Sequence, residues 1–177
     1  MRAIAGLMPA LTDLSGGTVA GGDLVLATVG HVRLGEAAFG IAPGYAELWV
    51  TLRTTTNDQM QALVDAAEQL ARQATDAGGL SLETSYHEVF SHCDNHPDAV
   101  EKLRAALDAE GVAHEAGEAL RASEDFGRFG AVSRSAMFYL GAGEKHPALH
   151  NPDYDFPDDL IPIGARILMR TARDLLG

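Results

Sequence analysis

Residues 148–159 read "ALHNPDYDFPDD", with one histidine, four aspartates and two prolines in twelve positions. A histidine among carboxylates is the raw material of a metal site, although a metal needs several ligands converging on one point. Part of the acidity has a structural reading. Asp158 and Asp159 precede "LIPIGARILMRTARDLL", where Ile161, Ala165, Leu168, Ala172 and Leu175 recur at helical spacing. Carboxylates there would cap free N–H groups and favour the positive end of the helix dipole, and Pro162 suits a first turn. His150, Tyr154 and Asp155 are left without such a role. Two other stretches carry chemistry-bearing residues. "GEAAFGIAPGYAELWVTLRT" (35–54) runs a small-residue loop into a strand that ends at Arg53, which by pattern alone is equally a hairpin with a surface arginine. "SEDFGRFG" (123–130) sets Glu124 and Asp125 behind Ser123, which by itself reads as the cap of a short helix.

The elements that must position these residues follow from periodicity. Ile4, Leu7, Met8, Leu11 and Leu14 trace one helical face, interrupted by Pro9 and closed by Gly16–Gly17. "DLVLATVGHVRL" reads as a buried strand. "AELWVTLRTT" alternates, with Leu48, Val50 and Leu52 on one face and Glu47, Trp49, Thr51 and Arg53 on the other. Thr56 and Gln59 form a capping box for a helix carrying Met60, Leu63, Val64, Ala67, Leu70 and Ala74. "LSLETSYHEVF" reads as a further strand, and Pro97 opens a helix with Val100, Leu103 and Leu107 on its stripe. The order helix, strand, strand, helix, strand is the ferredoxin-like β-α-β-β-α-β unit without its first strand. The expected fold is therefore α/β (α+β): helices on one face of an antiparallel sheet, then a loop-and-helix portion with one more strand candidate, "SAMFYLG". The expected boundary divides residues 1–94 from 95–177.

Composition narrows the function classes. The chain has 177 residues, 46% hydrophobic and 21% charged, which is ordinary globular composition. Twenty-five acidic against 13 basic residues give a formal charge of −12, which argues against a nucleic-acid or anionic-membrane partner. No run of about 18 apolar residues is present. Cys93 is alone, so no internal disulfide forms and a reducing cytoplasm is the expected setting. His92, Cys93 and His96 sit close in sequence but lack a second ligand pair.

Taken in order, "GIAP", "TLR", "SEDF", "FYLGAG", Leu149–His150 and "YDF" make the chain resemble the C-terminal half of the aminoacylase, hippurate hydrolase and auxin-conjugate hydrolase type of amidohydrolase. These belong to metallopeptidase family twenty and are dinuclear metal enzymes. The resemblance implies that His150 is a metal ligand and that Glu124 and Asp125 lie beside the metal, orienting ligands and tuning bound water. It implies that Arg53 structures the lid or holds a substrate carboxylate. Residues 1–94 would be the lid, or dimerisation, domain, and 95–177 the closing portion of the catalytic domain. Arg33 stands where peptidase relatives carry a lid histidine that reaches a neighbouring active site; His31, two residues earlier on the same strand face, would substitute for it at a substrate. A satisfied surface histidine is the alternative.

The implied cofactor is a divalent metal, zinc or else manganese or cobalt, and the implied substrate a small N-acyl amino acid or peptide-like amide. The family's Asn before Val-Ile-Pro is Gly40 here, and its Pro-Gly before the late strand is Ser135–Ala136. The other metal ligands and the general-base glutamate belong to the front half of such an enzyme. The expectation is that this chain binds metal weakly by itself, is inactive alone, and forms a homodimer through the lid. A non-catalytic interaction module and a decayed, truncated homologue are the competing readings.

Overall fold

A computed structural model describes all residues, 1–177. Its elements are α1 (Arg2–Thr12), β1 (Val25–Leu34), β2 (Ala46–Thr54), α2 (Asn57–Asp76), α3 (Pro97–Ala109), α4 (Gly127–Gly130) and α5 (Leu160–Leu176). They form two compact units: Met1–His92 with Ala119–Glu124, and Cys93–Glu118 with Asp125–Gly177.

In the first unit α1 and α2 pack on each other and on the β1–β2 hairpin, giving the expected antiparallel sheet with helices on one face. Leu7 and Leu11 of α1, Leu24, Ala27 of β1 and Leu63 of α2 form the buried core. The helix α1 runs through Pro9 and ends at Thr12, before the glycines. The Ser15 hydroxyl then accepts the Ala27 N–H at 3.0 Å, and Gly16 bridges Val25, so residues 15–16 cover part of the outer edge of β1. The capping box at the start of α2 is present in both directions: Thr56 Oγ1 accepts the Gln59 N–H, and Gln59 Oε1 accepts the Thr56 N–H. Burial along β2 alternates from Leu48 to Leu52, with Leu48, Val50 and Leu52 half-buried while Trp49 and Thr51 are exposed, and Glu47 and Arg53 at the ends are half-buried. The strand β1 is less buried than its composition suggests, since only Ala27 is fully covered.

One expected strand is corrected. Residues 80–90 join no ladder: the sheet contains only β1 and β2. Side chains hold the segment along α2 instead. The Tyr86 hydroxyl donates to Glu68, which also pairs with Arg72 at 2.7 Å, and at the far end the His92 N–H donates to Asn57 Oδ1 at 2.8 Å. The Tyr86 bond, then the Arg72 bond, hold the Glu68 carboxyl below its ordinary 4.5, while acceptance by Glu68 pushes the Tyr86 hydroxyl above 10.0. A lowered carboxyl contributes above its unfolded value and loses that contribution as pH falls through the folded one. A raised hydroxyl contributes below its unfolded value and loses it as pH rises through the folded one. The pin therefore holds between these limits. Tyr86→Phe should speed hydrogen exchange of residues 80–90 at neutral pH, and the difference from wild type should shrink as pH falls through the lowered Glu68 value. Equal exchange at neutral pH would mean that the pin contributes nothing.

In the second unit α3 packs on α5 around Ala106, Leu107 and Ile167. His96 caps α3, its Nδ1 accepting the Asp98 N–H at 3.2 Å ahead of Pro97 at the first turn. "SAMFYLG" also forms no strand. Met137 takes both of its backbone hydrogen bonds from the Asn95 amide at 2.8 Å, and the Ser135 carbonyl accepts the His96 N–H, so a side chain replaces the ladder. The helix α5 exists as expected but turns another face inward. Ile167 is fully buried, whereas Ile161, Leu168 and Leu175 are exposed. Asp159 occupies the N-cap with helical backbone angles and makes no capping hydrogen bond, so the carboxylate cap is not formed.

Candidate functional site

The β1–β2 register decides which side chains share a face. Leu26 pairs with Arg53, Thr28 with Thr51, His31 with Trp49 and Arg33 with Glu47, with an irregularity between Val29 and His31. A bulge inserts one unpaired residue, Gly30, and reverses the alternation beyond it. Without it, His31 and Arg33 would share the face of Ala27 and Val29. With it, they join Glu47, Trp49, Thr51 and Arg53 on the face away from the helices. The His31 and Trp49 rings lie 4.8 Å apart, tilted by 50°. Trp49 Nε1 donates to Glu47, and Arg33 pairs with Glu36 at 3.0 Å. His31 and Arg33 thus keep a common face, and Arg33 is already engaged.

The loop between the strands is where glycine matters. Gly40 has φ +75, a conformation in which glycine and, next, asparagine are tolerated best. Glycine therefore suits this turn and offers it no polar side chain. Beside this loop lies an open hollow of about 450 Å³ lined by Arg33, Leu34, Ile41, Pro43 and Tyr45. A larger hollow, about 540 Å³, separates the ends of α1 and α2 and is lined mainly by Ala3, Gly6, Ala10, Leu70 and Ala74. It contains none of the sequence-derived site residues.

One of the guanidinium donors of Arg53 is engaged. Its Nη1 donates to the Arg121 carbonyl at 2.8 Å, tying the end of β2 to residues 119–124. Nothing in the sequence pointed to this contact, which joins residues 68 positions apart. Glu124 ends that stretch and Asp125 begins the return to the second unit. The capping reading of "SEDF" is not realised: α4 is capped by Phe126 with no side-chain bond, and Asp125 contributes its backbone carbonyl to Arg128.

His150 is exposed and has φ 71, the left-handed region that a residue with a Cβ adopts at a cost. It sits in a turn closed by the Asn151 N–H on the Ala148 carbonyl at 3.0 Å. Tyr154 is accounted for by packing, its ring edge-on to His146 at 5.3 Å. His92 and His96 each spend Nδ1 on a helix start, accepting the Asn57 and Asp98 N–H groups, which explains their clustering around Cys93 without a metal.

The model for Peptidase family M20/M25/M40 matches residues 16–174, nine-tenths of the chain and both units. The chain belongs to this family. No curated protein and no solved structure matched. Members of the family are metal-dependent peptidases and amidohydrolases that generally use divalent ions. The residues of this chain do not by themselves fit such an ion, because no three His, Cys, Asp or Glu side chains converge on a point that could hold one. No helix is long and apolar enough to cross a membrane.

Proposed function

We propose that this chain is the lid together with the closing portion of the catalytic domain of a metal-dependent hydrolase of the aminoacylase and hippurate hydrolase type. The substrate would be a small N-acyl amino acid or peptide-like amide. The observation that carries this reading is the family match across residues 16–174, which takes in the "TLR", "SEDF", "FYLGAG" and "YDF" stretches together. Residues 1–94 serve as lid and dimerisation domain in this reading, and 95–177 return to the catalytic domain. His150 supplies one metal ligand, and its left-handed backbone is the sort of local strain that ligand loops retain. Glu124 and Asp125 flank the metal, and His31 faces the substrate or a neighbouring active site. In this reading the partner ligands come from outside residues 1–177.

A second reading is a non-catalytic module that associates through the lid, whose sheet has only two strands and so an open edge on β2. Calorimetry with Zn²⁺ and an assay on N-acetyl and N-benzoyl amino acids test the primary reading. The chain alone is expected to show no stoichiometric site and no turnover with zinc, manganese or cobalt. A tight 1:1 site lost in His150→Ala would overturn the assignment of the remaining ligands to residues outside the chain. The coding frame upstream of Met1 separates the two readings. Continuation into a His-Asp pair and a Glu-Glu pair supports the hydrolase, and a stop codon supports the module.

A further inference from the structure

We infer that Arg53 is a positioning residue, which holds the stretch 119–124 against the end of β2 through the Arg121 carbonyl. Residues 93–118 and 125–177 form one compact unit, yet residues 119–124 between them fold with the other. One charge-assisted hydrogen bond marks that return, from Arg53 Nη1 to the Arg121 carbonyl at 2.8 Å. The acceptor is backbone, so the bond holds the course of the chain rather than a side chain.

The two-residue repeat of β2 places Arg53 on the face of Trp49, where it is half-buried. Only Ala122 and Ser123 separate Arg121 from Glu124, so a clasp on the Arg121 carbonyl restricts where the Glu124 carboxylate travels. The clasp does not depend on the hydrolase reading above.

Hydrogen exchange on the full chain, read at residues 121–124, tests the inference without metal or substrate. Arg53→Met keeps the length of the apolar stem and removes the donors, and should speed exchange there about fivefold, as loss of an exposed charged hydrogen bond permits. Tryptic cleavage after Arg121, which needs its carbonyl released, should accelerate in parallel. Arg53→Lys keeps a donor and should restore most of the protection. Amides of β1 and β2 are the folding control; if the Met variant loses them, Arg53→Gln takes its place in the comparison with Lys. Wild-type protection in the donor-free variant, or equal loss in the Lys variant, overturns the assignment. Failure of the zinc prediction would leave this result intact, and failure here would leave the metal ligand assignment standing.

Discussion

Ile167→Ala is expected to lower the stability of the α3–α5 unit by about 3 kcal/mol, the mid-range for truncating a fully buried isoleucine. Ile167 has no exposed surface and is the only large side chain so completely enclosed. Its companions Ala106 and Leu107 form a small core, so the cavity left behind has few neighbours able to collapse into it. Leu168→Ala, one position along, is the informative comparison. Leu168 is 60% exposed, and its truncation should change stability by no more than about 0.5 kcal/mol. Urea unfolding followed by hydrogen exchange in α3 and α5 separates this unit from the hairpin unit. If Leu168→Ala proved the more damaging, α5 would be packing through the stripe suggested by its sequence periodicity and not through Ile167.

Gly17→Ala should cost several kcal/mol in the hairpin unit, on the order of 3, because steric and conformational penalties coincide. Gly17 has φ +70, and a Cβ there would stand 2.6 Å from the Asp23 carbonyl carbon, closer still to its oxygen, against rigid backbone. The turn cannot widen freely. Gly16 and Val25 exchange both backbone hydrogen bonds at 2.8 and 2.9 Å, and Thr18 N–H donates to Asp23 Oδ1 at 2.8 Å. Relief of the clash would break one of these ties and uncover Leu24. Gly6→Ala gives the opposite sign. Gly6 lies in α1 with nothing within 4 Å of the added carbon, so the lower entropy of the unfolded chain should stabilise it by about 0.5–1 kcal/mol. Trp49 fluorescence reports this unit. Similar effects from both substitutions would mean that the 13–24 turn is not formed as described.

What could be read in the sequence was local or periodic. Thr56 and Gln59 stand three residues apart, so their reciprocal capping is decided within one turn of chain. The alternation of Leu48, Trp49, Val50, Thr51 and Leu52 follows from the two-residue repeat of a strand, and the helix of Leu7 and Leu11 from the 3.6-residue repeat. The family motifs were legible as well, because they are short and ordered along the chain. The residue types of the candidate site, His150, Glu124, Asp125, Arg53 and His31, came from that order.

Tertiary structure decided everything that depends on a distant surface. Whether residues 80–90 become a strand is set by which surface the segment meets, and here Tyr86 and His92 hold it against α2. Two apolar lines run along α5, and contact with α3 determined that Ile167 would be buried and Leu168 exposed. The bulge at Gly30 is a matter of pairing between two strands, and it brings His31 beside Trp49. Arg53 meets the Arg121 carbonyl across 68 positions of sequence. Periodicity states which residues can share a face, but the free energy of covering that face belongs to the partner, and the partner is known only once the chain has folded.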